Sequence, residues 1–374
     1  MPVSMFAILL TVWMSFLSLV AISAACAEST MDGSVPASSN APSPDQENLK
    51  QRLERIRSKY YLDKVWVRVE TSHGDFIEVE LGGAGRSDDV MIGSLTKLVT
   101  GVAVAILIQQ GKLTLQTKLG DLMDPYFRAR GKTLDDSLRE VSVERLLTHT
   151  AGLRTNYSSD PVNGIDNSLV FRSLGLNSSA FDYLIASGGD KSNGDTKFVY
   201  SNISYLLLGL VIEQVSGQSY EQFCNDQIFA KQGISDAAVP GFYKVVAPFA
   251  GWRMTVKDLT KVISVFDINN PTILTRETLQ NTLLGDLGAE LGQNKNVHYA
   301  LGVYVKKGGD GNSYFISHNG IANFFKHEQT YYSYMEASFP GARWVFSTSP
   351  APKADGKEIA ADVRRAIGDA LNGQ

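Results

Sequence analysis

A serine and a lysine stand three residues apart in "IGSLTKLVTG", Ser94 and Lys97, at the head of a long apolar run. On a helix that spacing puts both side chains on one face. A serine hydroxyl is a weak nucleophile until a neighbouring base takes its proton, and an amine can be that base where desolvation favours its neutral form. A serine opening a helix is also a common cap that accepts a backbone N–H. The pair alone leaves chemistry and plain helix initiation both open.

Two further elements lie downstream. Tyr200-Ser201-Asn202, in "KFVYSNISYLLLGLVIEQVSG", is the single Tyr-x-Asn of the chain, and His318-Asn319-Gly320, in "YFISHNGIANF", is its single His-x-Gly. A phenol near a lysine ammonium favours its anion and can shuttle a proton to a leaving group, and an Asn amide can hold a substrate carbonyl. Ser94–Lys97 is likewise the only Ser-x-x-Lys. Three unique elements in this order are far more specific than any one of them.

The elements that must position these residues follow a strand–helices–strand order. "ENLKQRLERIRSKYY" has helical periodicity, and "KVWVRVETSHGDFIEVEL" alternates around a His-Gly-Asp turn and reads as a hairpin. From Ser94 the pattern is mostly helical, through "LTKLVTGVAVAILIQQG", "SVERLLTH", "SYLLLGLVIEQVSG" and "SYEQFCNDQIF". After His298, "YALGVYVKK", "SYFISH", "TYYSYMEASF" and "RWVFSTS" read as strands, and "GKEIAADVRRAIGDALN" closes with a helix. This predicts an α/β protein of the α+β type, with an antiparallel sheet built from both chain ends, flanked by helices, and an all-helical domain inserted between them. The expected boundaries are an α/β lobe at 47–93 and 298–372 and a mainly helical lobe at 94–297, which places Ser94 at the cleft between lobes, a favoured place for ligands.

The three elements resemble the motifs of the penicillin-recognising serine hydrolases, in the branch that contains class C β-lactamases, D,D-peptidases, D-aminopeptidases and esterases. "GKLTLQTKLGDLM", "VSVERLLTHTAGL", "VYSNISYLLLGLVIEQVSGQSYEQF" and "GWRMTVKDL" are similar to family segments in the expected order, so that the likeness covers about residues 48–372. It implies a β-lactamase-like fold in which Ser94 is acylated, Lys97 is its partner in proton transfer and Tyr200 is a general acid/base. Asn202 would orient the substrate, and the backbone N–H groups of Ser94 and Ile321 would form the oxyanion hole. Gly320 would let the substrate-binding strand, with His318 and Asn319, approach closely. Whether Lys97 or Tyr200 takes the serine proton stays open.

Many β-lactamases carry lysine where this chain has His318, and a fixed ammonium helps to hold a substrate carboxylate. Imidazole in its place implies weaker β-lactamase action, with a preference for carboxylate substrates that grows as pH falls through the histidine's pKa. After Gly320, the bulky "IANFF" (residues 321–325) replaces the usual glycine-rich turn and would narrow one wall of the pocket. The expected activity is hydrolysis of small esters or amides through an acyl-enzyme. The alternatives are a β-lactamase, a D-Ala-D-Ala carboxypeptidase or D-aminopeptidase, and a penicillin-binding sensor without turnover.

At 374 residues the chain can bury a large core, as two packed lobes or one composite domain. Its 44% hydrophobic and 20% charged residues suit a soluble globular enzyme, and a net charge of -4 gives no footprint for nucleic acid. His73, His298 and His327 lack metal-ligand spacing, and neither metal nor cofactor is called for. His149 in "LLTHTAGL" reads as part of a structural turn, Trp252 and Arg253 as cleft lining or packing, and Cys224 as a buried inert thiol. No Gly-x-Ser-x-Gly occurs, which removes the ordinary lipase architecture.

The opening "MPVSMFAILLTVWMSFLSLVAISAACAES" is an apolar block ending in small residues and reads as an export signal over 1–27, with an uncleaved membrane anchor or lipid attachment at Cys26 as alternatives. Residues 28–46, rich in Ser, Pro and Ala, read as a flexible linker. The expected location is periplasmic or secreted, with membrane contact only through an uncleaved N-terminus, and the expected partner is a small molecule: an ester, amide, β-lactam or cell-wall-type peptide.

Overall fold

Alternation in Lys64–Glu70 sends Val65, Val67 and Val69 to one face of a strand, where they join a core with Leu49, Leu53, Ile359 and Val363, while Trp66 joins a second, larger core on the other face. That division organises the molecule. The computed structural model describes residues 43–153, 178–187, 191–288, 291, 296–309, 313–322 and 329–371. The expected signal, Cys26, most of the expected linker, Asn323–Phe325 and His327 lie outside the described residues.

Seven strands form one sheet: β1 (Lys64–Glu70), β2 (Phe76–Leu81), β5 (Val297–Ala300), β6 (Val303–Lys307), β7 (Tyr314–Ala322), β8 (Tyr331–Phe339) and β9 (Arg343–Ser349). Their order is β2-β1-β9-β8-β7-β6-β5, and every pairing is antiparallel. The first and last strands of the chain meet, with Lys64 opposite Ser349 and Glu70 opposite Arg343. A separate two-stranded ribbon joins β3 (Val90–Met91) to β4 (Arg253–Met254). The sheet drawn from both chain ends agrees with the sequence reading.

Six helices bear on the site or frame the sheet: α1 (Pro44–Lys59), α2 (Thr96–Gln109), α3 (Val143–Leu147), α4 (Asn202–Ser216), α5 (Ala247–Ala250) and α6 (Gly356–Leu371). Helices α1 and α6 supply the apolar residues packed on the Val65 face of the sheet. Helix α1 begins at Pro44, so the linker expected through residue 46 is too long at its end. Ser43 caps the helix by accepting the N–H of Gln46 at 3.2 Å, and proline suits the first helical turn; Ser and Pro there are helix-start chemistry rather than tether composition.

The segment "YALGVYVKK" is a hairpin rather than one strand. Leu301 and Gly302 turn the chain between β5 and β6 with φ of 47° and 86°. This turn presses on α2. A β-carbon at Gly302 would stand 2.2 Å from the backbone of Lys97, and one at Gly101 would stand 2.3 Å from the carbonyl oxygen of Leu301. Replacing glycine by alanine inside a free helix stabilises it by about 1 kcal/mol. Here the sign reverses: Gly101→Ala and Gly302→Ala are each expected to lower stability by roughly 1–3 kcal/mol. Urea unfolding checks this, and an unchanged or raised midpoint for Gly101→Ala would show that helix and turn are free to separate.

Candidate active site

Lys97 is fully buried within the first turn of α2. Its Nζ donates to Ser94 Oγ at 3.1 Å, to Asn202 Oδ1 at 2.7 Å and to the carbonyl oxygen of Phe249 at 3.1 Å. The acceptors come from three segments: the 3-10 turn Gly93–Leu95 before α2, the start of α4 and the end of α5. The last carbonyls of a helix lack intrahelical partners and attract cations, and the four-residue α5 spends two of them on α2. Phe249 O takes Lys97 and Pro248 O takes the Thr100 hydroxyl at 2.6 Å.

Tyr200 precedes α4, whose cap is Ser201 and whose first residue is Asn202. Its ring centroid lies 4.9 Å from Lys97 Nζ. Ser94, Tyr200 and Asn202 line one cavity of about 270 Å³ together with Ala250, Tyr304, His318, Asn319 and Ile321. The structure thus brings together the serine, the lysine beneath it, the tyrosine and all three expected positions around Gly320.

Strand β7 forms the opposite wall. Its pairing with β6 ends at Ser317 opposite Tyr304, whereas its pairing with β8 continues to Ala322 opposite Tyr331. The stretch from His318 to Ala322 therefore lacks β6 beside it, and the serine turn packs there instead. A β-carbon at Gly320 would sit 2.0 Å from Ile92 O and 2.9 Å from Ser94 N. One at Gly93, whose φ is +53°, would sit 2.7 Å from Ile321 N. Two glycines, one on each side, let the main chains at Ser94 and Ile321 come against each other with no side chain between them.

His318 is buried, and its ring nitrogens are both engaged by the protein. Nδ1 lies 2.6 Å from the Asn319 carbonyl, which only accepts, so this nitrogen carries the proton. Nε2 is then the acceptor of the Tyr299 hydroxyl at 3.0 Å. Tyr304 stacks on the ring at 5.6 Å between centroids. Burial, and then the nearby Lys97 charge, push the imidazole down to about 3. The expected titrating reader of substrate charge is therefore corrected: His318 lines the cavity as a neutral ring held by Tyr299.

Residues set aside earlier also find places. Trp252 is core: its indole N–H donates to Tyr220 Oη at 3.0 Å and it lines no part of the cavity. Arg253 is exposed and pairs with Asp89 at 3.4 Å. Cys224 is buried, and burial raises its thiol far above the ordinary range. His73 is exposed, and His298 Nε2 bonds the Leu283 carbonyl at 2.7 Å. Tyr299, Tyr304 and the Phe249 carbonyl escaped the sequence reading; a tyrosine in a strand and a main-chain oxygen carry no chemical signature.

The Beta-lactamase family model matches residues 90–335. The chain belongs to that family. "Penicillin-binding protein 4" of Amycolatopsis lactamdurans is 25% identical over 198 residues, 51% of this chain and 48% of that protein. The chain spans at most about half the length of the curated relatives it matches. Among solved structures, a D-stereospecific amidohydrolase from Streptomyces sp. superposes with a TM-score of 0.67 at 19% identity, over 88% of this chain and 100% of that one. The D-amino acid amidase from Ochrobactrum anthropi SV3, complexed with D-phenylalanine, gives 0.67 at 16% identity over 89% and 100%. These likenesses establish the β-lactamase-like fold of a serine hydrolase family.

A neutral His318 has two measurable consequences. The ratio of kcat/KM for a carboxylate-bearing substrate to that for a neutral ester is expected to stay flat between about pH 5 and 8, because the ring does not charge there. Unfolded histidine takes its proton near 6.5 while the folded ring holds out to about 3, so stability is complete above 6.5 and falls as pH drops towards 3. His149 and His298 shift in the same direction. His318→Gln is expected to flatten part of that acid slope in urea midpoints; an identical slope would mean that His318 takes its proton at the same pH in the folded protein as in the unfolded chain.

Proposed function

We propose that the protein is a hydrolase that forms an acyl-enzyme on Ser94 and acts on small, uncharged esters or amides. The observation that carries this reading is the direct contact of the buried Lys97 amine with the hydroxyl of Ser94, a residue that lines the cavity. Asn202 Oδ1 and Phe249 O fix two N–H directions of Lys97. In the neutral amine those two bonds stay occupied and the lone pair turns to Ser94, ready for the hydroxyl proton as the oxygen attacks a carbonyl carbon. The oxyanion is met by the N–H groups of Ser94 and Ile321, which cost no reorganisation because glycines have already brought the two backbones together. Tyr200, beside Lys97, relays the proton from the Lys97 ammonium to the leaving oxygen or nitrogen. In the second half-reaction the relay runs in reverse: water gives its proton through Tyr200 to the Lys97 amine as it attacks the acyl carbon, and Lys97 returns it to Ser94 Oγ as the acyl bond breaks. Since Oδ1 of Asn202 faces Lys97, its amide nitrogen is the end left to hold a substrate carbonyl.

The preference for uncharged substrates rests on the wall. Among the described lining residues none carries a formal charge, and a buried neutral imidazole stands where a fixed cation would hold a carboxylate. Esters and amides without a carboxylate fit this description; penicillins and cephalosporins, with their carboxylates, fit it less well. Periplasmic or secreted placement, with residues 1–27 as signal or anchor, is part of the same proposal and rests on the apolar N-terminal block and the small residues that close it.

Ser94→Ala is expected to abolish covalent labelling by a fluorophosphonate or a fluorescent penicillin, with mass spectrometry locating the wild-type adduct on Ser94; an adduct elsewhere overturns the assignment. Steady-state turnover of a chromogenic ester, a cephalosporin and a D-Ala-D-Ala peptide ranks the substrate classes, with the ester expected first. Stable acylation of all three without turnover would mark a sensor instead. N-terminal sequencing of the protein from its native host is expected to start at Cys26 or Glu28, and an intact Met1 in a membrane fraction would identify an anchor.

A further inference from the structure

His149 follows α3 with φ at +57°, in the left-handed region where a residue other than glycine persists only when its surroundings hold it. Its carbonyl accepts the N–H of Val199 at 2.9 Å, and its Nδ1 accepts the N–H of Ser201 at 3.2 Å. Those donors flank Tyr200. One residue thus grips the chain immediately before and after the tyrosine, and its ring lies 4.5 Å from the phenol ring between centroids. The same ring is 4.5 Å from Tyr299, which donates to His318. It therefore stands between the walls that carry Tyr200 and His318.

Because Nδ1 accepts, the ring proton sits on Nε2, a buried atom with no hydrogen-bond partner among the described residues. Burial, and then the charge of Lys97, hold the imidazole well below its ordinary range, so the acceptor nitrogen stays unprotonated. A buried donor without a partner costs stability that an apolar ring would not lose. The imidazole is explained by what Nδ1 does rather than by packing.

We propose that His149 is a positioning residue for Tyr200: by bonding Val199 and Ser201 it fixes where the phenol stands relative to Lys97 and Ser94, without touching substrate. This rests on Tyr200 as the proton shuttle proposed above. Misplacing a reacting group by a fraction of an ångström slows the chemical step while leaving ground-state binding largely intact.

Glycine and asparagine both tolerate the left-handed backbone, and Asn Oδ1 can replace Nδ1 as the acceptor. His149→Gly is expected to lower kcat for a p-nitrophenyl ester by about tenfold or more with KM changed by less than about threefold, and His149→Asn to recover most of that loss. Rates are expressed per folded molecule, from thermal melts of the same samples. A purely structural role predicts lower Tm with kcat per folded molecule unchanged in His149→Gly, and that result overturns the proposal. Should His149→Gly not fold, His149→Ala, which likewise lacks the acceptor, takes its place beside His149→Asn: an about tenfold or greater loss of kcat per folded molecule in His149→Ala that His149→Asn largely recovers supports the proposal, and equal kcat in the two overturns it. Ser94→Ala, run alongside, separates the two claims. Turnover that survives it refutes the Ser94 acyl-enzyme, whereas Ser94-dependent turnover insensitive to His149→Gly refutes only the positioning role.

Discussion

An amine buried at the base of a helix and touching a serine hydroxyl constrains everything around it. Desolvating a charged or strongly polar nitrogen is expensive unless its hydrogen bonds are supplied. Lys97 receives acceptors from the serine turn, from α4 and from α5, segments far apart in the chain. Holding those three in place is a fold-level task. Helix α5 has to end where its last carbonyls meet α2, and α4 has to begin at Asn202, so the tyrosine before it falls beside the amine. The residues proposed as nucleophile, base and shuttle share one hub, and a displacement of any contributing segment is felt by all three.

The second constraint is backbone against backbone. The serine turn occupies the edge of β7 that β6 leaves uncovered, and the two main chains come so close that neither Gly93 nor Gly320 has room for a side chain. A sheet edge exposes unpaired N–H and C=O groups and is ordinarily a liability. Here the same edge becomes one wall of a cavity, lined by His318, Asn319 and Ile321. Tyr299 complements this on the interior side by taking up His318, so the wall presents an uncharged aromatic surface made by His318 and Tyr304.

Much of this was legible in the sequence because the decisive residues are close together within each element. Ser94 and Lys97 share a turn, Tyr200 and Asn202 flank a cap, and Gly320 follows His318 on one strand, so spacing groups them within each element, while the family resemblance joins the three elements into one site. The alternating segments at both chain ends likewise foretold a shared sheet. What spacing could not show are partners from distant segments. Nothing near His318 announces that Tyr299 will take its Nε2, so the imidazole reads as a titrating group when it is a bonded one. The hairpin in "YALGVYVKK" was hidden because Leu301-Gly302 lacks the Asn-Gly or Asp-Gly signal of a tight turn. Trp252 sits beside cleft residues in sequence, yet its side chain turns into the core.

The pairing of the first strand with the last has a consequence for how the site comes into being. Strand β1 lies between β2 and β9, and α1 is tied to α6 by ion pairs from Arg52 to Asp369 and from Lys59 to Asp362. A growing chain has made Ser94, Lys97 and Tyr200 well before β7, β8 and β9 exist, and the sheet cannot close until Arg343–Ser349 has been made. Contacts so distant along the chain form slowly and late. The nascent chain therefore carries the Ser94–Lys97 pair before the strand that faces it, and the pocket is assembled only after β7 has been added.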